Sequence, residues 1–460
     1  MSKRFIPLMF ILVICCCNQD IRQANEPAGS GTISGEVRAK KSSDSVIYVG
    51  LGTSLDEISS GKCVKFIALR KPGRFHMEDV PPGKYCLSAF IDLNSDERPD
   101  ILLEPYYIHR TEILVAPGQK IRDIIVEGFF NERDPSFKTA ERTKEYSALR
   151  DSASVAIENA YRKLRAEGGA LFAELMPTLR AMVFEAEETW AVAGNDADWE
   201  HIRALLEPLP ELASDAARGI DGTNFLRGCF LRAYLSELDG TVQRYAIHVP
   251  EEYDGSQPFP LVIALHTSGG DHWSGLKLVT GYSNILRSAD EANRHFFPAK
   301  LPSDFIVVSP NGYGFEGPGY RGPAEYDVMK VLEEVESHYK IDRSRIYLTG
   351  ASKGGQGTWE IGLKHPELFA AIAPVCGATG GVRTMASQIG RVPIFVFHGA
   401  KDRITSVNES RVMIAAARRL VKPPKYQYFE YPEWGHFATY RVYENGAIFD
   451  LFRGESRPSA

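Results

Sequence analysis

The stretch from Arg345 to Gly355 constrains the fold more than any other part of the 460-residue chain. It begins as an apolar, β-branched run (RIYLT) and passes into GASKG, a G-x-S-x-G pattern centred on Ser352. A helical segment follows, from Gln356 to about His365. A serine in so sharp a strand-to-helix turn needs small neighbours, and it stands at a helix N-terminus, where free N–H groups favour negative charge. The pentapeptide alone is a weak signal in a chain with 40 glycines, so the rest of the sequence decides its meaning.

The segment 227–460 alternates between strand-like and helical patterns. Two continuous apolar runs, Leu261–Leu265 and Phe305–Val308, are typical of strands that are buried on both faces. Between such strands, amphipathic patterns predict helices, one of them from Glu325 to Tyr339. The alternation predicts an α/β fold with a mostly parallel sheet.

The segment before it divides into two parts. Residues 32–130 contain six or seven short strand patterns separated by Gly, Pro and Ser clusters, which predicts a small all-β sandwich. Within it, residues 75–85 (FHMEDVPPGKY) resemble transthyretin-like and carboxypeptidase-regulatory-like modules. Residues 131–226 are predicted to be a helical linker or cap. Apolar residues recur there every three to four positions from Leu171 to Trp190, and we expect Pro177 to kink or split that helix.

The N-terminus predicts export. Lys3 and Arg4 precede an apolar run of about ten residues, which is typical of a signal peptide and too short for a bilayer span of about 20 residues. The sequence LVIC resembles a bacterial lipoprotein box, so residues 1–17 are predicted to be the signal, Cys15 the lipidated residue and residues 18–31 a polar tether. Plain secretion and an uncleaved anchor remain open. A net charge of -6 without a basic block argues against a nucleic-acid partner.

A candidate calcium loop lies inside the predicted sandwich. Oxygen-bearing side chains occupy alternate positions and then the ninth: Asp92, Asn94, Asp96 and Asp100. This spacing resembles the start of a calcium-binding loop, but Glu97 stands where such loops use glycine and Leu103 cannot ligate a cation. The alternative is a solvated acidic turn between strands.

Four cysteines lie downstream of the signal. Cys63 and Cys86 fall on neighbouring segments of the sandwich, and an exported protein can oxidise such a pair to a disulfide. Two buried thiols are the alternative there. Cys229 and Cys376 have no obvious partner in the sequence, so we expect both to be buried.

The chain supplies the partners that a reactive serine needs. A serine hydroxyl becomes nucleophilic beside a general base, which in turn needs an orienting acid. Asp402 follows the apolar strand that ends in FHG, and His436 lies in a loop after the last predicted strand. Both fall at carboxyl ends of strands, the edge where α/β sites form. The order Ser352, Asp402, His436 is that of a doubly wound hydrolase.

The span from residue 227 to the C-terminus resembles the α/β-hydrolase superfamily. It is most similar to secreted esterases of the polyhydroxybutyrate-depolymerase and feruloyl-esterase type and to prolyl-oligopeptidase-like hydrolases, through LRAY at 231–234, DGT at 239–241 and YRG at 320–322. The resemblance implies that Ser352 is the nucleophile, Asp402 the orienting acid and His436 the general base. It also implies a carboxylic-ester substrate, aryl or polymeric, and no cofactor for catalysis. A serine peptidase and an inactive surface-binding protein are the alternatives.

The resemblance also assigns the residues around the reacting atoms. It implies that the backbone N–H of Lys353 is one oxyanion donor and that Thr267 or Ser268 supplies the second. The family usually has His-Gly in that loop and methionine after the serine, so both positions depart from its pattern. If the Lys353 side chain faces the cleft, it favours acidic substrates. Four aromatic residues are predicted to line the substrate pocket: Trp273, Tyr313, Tyr320 and Trp434.

Overall fold

The structure is a computed structural model. It describes residues 30–38, 46–53, 63–71, 73–92, 106–127, 137–167, 170–193, 196–280, 302–314, 319–379, 389, 391–420, 425–436, 438–444 and 446–457. The predicted lipidation site Cys15 and three of the predicted calcium ligands, Asn94, Asp96 and Asp100, lie outside these residues. The fourth, Asp92, ends a strand and pairs with Val46. No helix in the described part of the chain is long and apolar enough to cross a membrane.

The N-terminal part is the predicted all-β sandwich. Its described strands are β1 (Gly31–Arg38), β2 (Val46–Gly52), β3 (Lys65–Leu69), β4 (Gly73–Val80), β5 (Gly83–Asp92), β6 (Tyr106–Val115) and β7 (Lys120–Glu127). They form two sheets, in the orders β4-β1-β7 and β3-β2-β5-β6. Ile33 and Phe75 of the first sheet and Val49 and Leu87 of the second are buried in one core. Cys63 and Cys86 are thiols in this structure and are not joined by a disulfide.

The residues described between 137 and 217 form four α-helices: α1 (Ala140–Glu167), α2 (Ala170–Val192), α3 (Asp196–Leu206) and α4 (Leu209–Ala217). Helix α2 runs through Pro177 as one element, so this proline does not split the helix, and the alternative of a kink stays a prediction. The cost of a proline inside a helix, about 3 kcal/mol, is offset here by packing, because Leu175 and Leu179 on either side are fully buried.

The prediction of an α/β fold with a mostly parallel sheet for residues 227–460 is confirmed. The strands are β8 (Gly228–Leu235), β9 (Val242–Val249), β10 (Phe259–Leu265), β11 (Ile306–Pro310), β12 (Ile341–Ala351), β13 (Ala371–Val375), β14 (Ile394–Gly399) and β15 (Tyr426–Tyr431). They form one eight-stranded sheet in the order β15-β14-β13-β12-β10-β11-β9-β8. The strands from β15 to β11 are parallel, whereas β9 and β8 are antiparallel to their neighbours.

Helices cover both faces of this sheet: α5 (His272–Thr280), α6 (Pro323–His338), α7 (Lys353–Lys364), α8 (Asn408–Arg418), α9 (Ala438–Glu444) and α10 (Ala447–Arg453). The central strand β10 shows the two cores. Ile263 and Leu265 belong to one hydrophobic cluster, and Val262 and Ala264 belong to the cluster on the opposite face. A strand buried on both faces explains the continuous apolar run in the sequence.

The helical part docks on the open edge of the large sheet. Thr178 of α2 places its hydroxyl 3.0 Å from both the backbone N and the carbonyl oxygen of Ala233 in β8, the last strand of the sheet. The hydroxyl accepts from the N–H and donates to the carbonyl, as a further strand would. Buried backbone groups need such partners. Helix α2 therefore covers the sheet edge and reaches the domain that contains Ser352.

Candidate active site

Ser352 lies in the sharp turn between β12 and α7. Its backbone angles, φ 56° and ψ −114°, are unfavourable for a residue with a side chain. The turn is held by a hydrogen bond from the Ser352 N–H to the carbonyl oxygen of Val375 on the neighbouring strand, at 2.9 Å. The strand–turn–helix arrangement around the serine is therefore as the sequence predicts.

The two glycines of the motif are required by close packing. A Cβ atom on Gly350 would lie 2.6 Å from the backbone of Gly354, and one on Gly354 would lie 2.2 Å from the carbonyl oxygen of Leu265. Neither backbone atom can move aside as a flexible side chain would. Helix α7 therefore crosses directly over the end of β10 only because both positions lack a side chain.

Asp402 and His436 meet at the same edge of the sheet. The Nδ1 atom of His436 is 2.8 Å from Oδ2 of Asp402. The other carboxylate oxygen, Oδ1, accepts the backbone N–H groups of Ile404 and Thr405 at 2.9 and 2.8 Å. Burial alone raises the pKa of Asp402, but hydrogen bonds from His398 and His436 outweigh it and hold the pKa well below its usual range. The acid is therefore ionised and fixed in orientation.

The end of β13 connects this pair to the serine turn. Val375 accepts the Ser352 N–H, and the next residue, Cys376, donates its own N–H to Phe397 at 2.9 Å. The Sγ atom of Cys376, a carboxylate oxygen of Asp402 and a ring nitrogen of His436 all lie within 4.8 Å of one another. The structure thus brings Asp402 and His436 together beside the strand end that holds Ser352. Cys376 is buried, as expected.

The predicted oxyanion residues flank the serine on two elements. Lys353 is the first residue of α7, directly after the serine turn. Thr267 and Ser268 lie in the loop between β10 and α5. The Lys353 side chain is only 6% exposed, and its Nζ lies 5.3 Å from the centre of the Tyr320 ring. A cation–π contact holds the ammonium group inside, so the condition under which Lys353 would favour acidic substrates is not met.

One of the predicted pocket residues packs in the core instead, and a second contacts the helical part. Tyr320 is 1% exposed, and its ring lies against Gly357 so closely that a Cβ there would approach it to 2.5 Å. Trp273 turns toward the helical part and donates its indole N–H to Glu185 of α2. The prediction for Tyr320 is wrong, because this side chain fills an interface between elements and has almost no surface to offer a substrate. Trp273 is half-buried, and its role in binding a substrate stays a prediction.

The other two predicted aromatics are partly exposed. Tyr313 has φ 62°, and its hydroxyl donates to Asp239 at 3.0 Å. Trp434 stacks on Tyr431 with the ring centres 5.1 Å apart, two residues before His436. Their role in binding a substrate stays a prediction.

Two polar residues with a bearing on the site carry little signal in the sequence. His398 touches Asp402, and only its place at the end of a buried strand marks it as a neighbour of the site. Glu185 lies in a helix with several other glutamates and is distinguished only by its burial.

Comparisons with known proteins find similarity over parts of the chain. The model of the prolyl oligopeptidase family matches residues 323–390. The chain is 23% identical over 170 residues to a probable feruloyl esterase C of Aspergillus niger, covering 36% of this chain and 58% of that protein. It is 28% identical over 142 residues to poly(3-hydroxyalkanoate) depolymerase C of Paucimonas lemoignei, covering 30% and 32%.

Among solved structures, a thermostable esterase is 25% identical and covers 50% of this chain and 63% of its own, with a TM-score of 0.40. The chain thus spans less than two thirds of each of these proteins. The sheet order, the serine turn and the acid–histidine pair give residues 228–457 the α/β-hydrolase fold.

Proposed function

We propose that this chain is a serine hydrolase that cleaves carboxylic esters through an acyl-enzyme, with Ser352 as nucleophile, His436 as general base and Asp402 as orienting acid. The contact between His436 Nδ1 and Asp402 Oδ2 carries the proposal. Because the carboxylate accepts the Nδ1 proton, Nε2 is left with a lone pair that can take a proton from a serine.

In the first half of the reaction, Ser352 Oγ attacks the ester carbonyl carbon and its proton passes to Nε2 of His436. The negative charge on the carbonyl oxygen is met by the backbone N–H of Lys353 and by one from Thr267 or Ser268. Such a donor is worth about 3–4 kcal/mol in the transition state. The imidazolium then gives its proton to the alcohol oxygen, the ester C–O bond breaks, and the acyl group stays on Ser352.

In the second half, a water molecule replaces the alcohol. His436 Nε2 takes one proton from the water, and the water oxygen attacks the acyl carbon. The proton returns to Ser352 Oγ as the acyl bond breaks, so the products are the carboxylic acid and the restored serine. Asp402 keeps its negative charge throughout and stabilises the imidazolium in both halves. No cofactor takes part in these steps.

The proposed substrate is an aryl or polymeric ester. The names of the relatives, feruloyl esterase and poly(3-hydroxyalkanoate) depolymerase, support this class. The partly exposed rings of Tyr313 and Trp434 offer apolar surface for an aromatic acyl group. We further propose that the chain is exported and anchored to a membrane through a lipid on Cys15, on the strength of its N-terminal sequence.

A fluorophosphonate probe tests the nucleophile. We expect the full chain to be labelled and to hydrolyse short-chain aryl esters, and Ser352→Ala to lose both properties. Ser337→Ala, at the exposed end of α6, is the matched control and should keep both. Labelling that survives Ser352→Ala would refute the assignment.

A serine peptidase is the second candidate, because the matching family model is that of prolyl oligopeptidases. The same three residues would serve either reaction, and only the leaving group differs. Aminoacyl-proline amides assayed beside the aryl esters distinguish the two. Turnover of the amides without turnover of the esters would favour the peptidase, and no turnover or labelling at all would favour an inactive binding protein.

A further inference from the structure

Glu185 is a buried carboxylate that joins the helical part to the α/β domain. It lies in α2 and is 5% exposed. Oε1 faces His201 Nε2 of α3 at 3.1 Å and accepts from the indole N–H of Trp273. Oε2 faces His272 Nε2 and an Arg244 guanidinium nitrogen, both at 3.2 Å. Three of the four partners belong to the α/β domain.

These contacts lead to the loop that carries the second proposed oxyanion donor. His272 is the first residue of α5, directly after the loop 266–271, and its Nδ1 lies 3.0 Å from Asn311 Oδ1. The backbone carbonyl of Asn311 lies 3.1 Å from Nε2 of His266. The Nδ1 atom of His266 lies 2.8 Å from the carbonyl oxygen of Thr267. The loop is thus held at both ends, and Asn311 touches both holding histidines.

The charges agree with this path. Burial alone lowers the pKa of His272, but the hydrogen bond and charge of Glu185 outweigh it, so that pKa is raised. Burial alone raises the pKa of Glu185, but hydrogen bonds from His201 and His272 outweigh burial, so the pKa of Glu185 is lowered. When Glu185 is ionised and His272 is protonated, both ring nitrogens of His272 donate, one to the carboxylate and one to Asn311.

We propose that Glu185 is a positioning residue through which the helical part fixes the backbone of Thr267 and Ser268 for oxyanion binding. The inference rests on the proposed function. Docking alone does not require a buried charge, because apolar residues of similar size serve at least as well. A carboxylate with four donors fixes His272 in one orientation, and a fixed His272 fixes Asn311 and the loop.

The test compares Glu185→Gln with Glu188→Gln in the full chain. Glu188 pairs with the same Arg244, at 2.7 Å, but is 48% exposed and does not touch His272. For Glu185→Gln we expect kcat on an aryl ester to fall about tenfold with KM nearly unchanged, less than the roughly 10²–10³-fold loss when a donor is removed outright. For Glu188→Gln we expect both constants to stay unchanged. A folded Glu185→Gln variant with unchanged kcat would overturn the proposal.

The pH profile gives a readout that a merely structural role would not move. The charged and titratable groups around His272 are Glu185, Asp271 and Asp327; Arg244 shares Oε2 of Glu185 with His272, and His201 contacts Oε1. Without the Glu185 charge, His272 loses its proton at lower pH. The decline of kcat on the alkaline side should therefore begin at lower pH in Glu185→Gln, and an unmoved profile would contradict the proposal.

Asn311→Ala removes the contact between Asn311 and His272, which is the next step in the same series of contacts. It keeps the proposal testable if Glu185→Gln does not fold. Its kcat should fall by a similar factor, and the double variant should lose no more than either single variant; losses that multiply would refute a shared path. Amide hydrogen exchange of residues 266–271 reports the loop whether or not an ester is turned over. Faster exchange in Glu185→Gln supports the inference even if the proposed reaction fails, and unchanged exchange refutes it.

Discussion

His398 and His436 share one oxygen of Asp402. Nε2 of His398 lies 3.3 Å from Oδ2, and Nδ1 of His436 lies 2.8 Å from the same atom. His398 is itself fixed, because its Nδ1 meets Ser410 Oγ at 2.7 Å and its Nε2 meets the Thr405 carbonyl at 2.9 Å. Asp402 is thus held by one fully buried histidine, His398, while it orients a second and partly buried one, His436.

His398→Leu should weaken the proposed reaction without touching the substrate. A hydrogen bond to a charged group is worth about 1.5–3 kcal/mol, which corresponds to a fall in kcat of roughly ten- to a hundredfold. His398→Gln retains an N–H donor and should lose less. Steady-state kinetics on one aryl ester compares the two variants, and equal losses would show that only volume matters at this site.

Asp402→Asn should lower kcat by about 10⁴-fold, because an amide favours the wrong tautomer of His436.

The same variant should also change how the stability of the fold depends on acid pH. The pKa of Asp402 is depressed in the folded chain, so its stabilisation is present above the unfolded value of about 3.9 and is lost as the pH falls below it. Denaturant titrations at pH 3 and pH 6 should differ less in the variant. Glu433→Gln, an exposed change near the same loop, is the control and should leave kcat unaltered.

Gly354→Ala should abolish activity and destabilise the fold. The new Cβ would lie 2.2 Å from the carbonyl oxygen of Leu265, so β10 and α7 must separate, and with them the two proposed oxyanion elements. We expect a loss of stability at the upper end of the overpacking range, about 3 kcal/mol. Gly454→Ala meets its nearest atom at 3.5 Å and should be neutral. Thermal unfolding of both variants decides the matter, and similar melting temperatures would contradict the geometry.

We predict that the titration of Asp327 lowers the free energy of unfolding as the pH rises from about 4 to about 6. It is fully buried and accepts from the Tyr234 hydroxyl and the Gly312 N–H, both at 2.6 Å. Burial raises its pKa to about 6, more than these bonds lower it. The folded chain therefore binds this proton more tightly than the unfolded chain, and the free energy of unfolding falls as the pH rises through this range, by about 3 kcal/mol for this group.

Asp327→Asn should remove this part of the pH dependence. Chemical denaturation at pH 4.5 and pH 7.0 measures it, with Asp450→Asn, an exposed change on α10, as the control. A variant whose unfolding free energy changes with pH as much as that of the parent chain would show that other groups dominate the range.

Much of the site follows from local sequence. The strand–turn–helix around Ser352 was predictable because glycines, an apolar run and a helical pattern are all contiguous. Asp402 and His436 were predictable as candidates because each follows a strand, and carboxyl ends of parallel strands share one edge. The two faces of β10 follow equally from an unbroken apolar run.

Tertiary structure alone decided which side chains meet. Tyr320 and Trp273 are aromatic residues near the site, as pocket residues often are. Packing nevertheless places Tyr320 in the core and Trp273 against Glu185. Pro177 remained inside α2 because buried neighbours outweigh its local preference. The partners of Glu185 lie on α3, β9 and α5, and no local pattern encodes a contact that depends on how a helix docks against a sheet edge. The sequence by itself determined the turn, the strand ends and the order of the reactive residues, and docking decided what holds them in place.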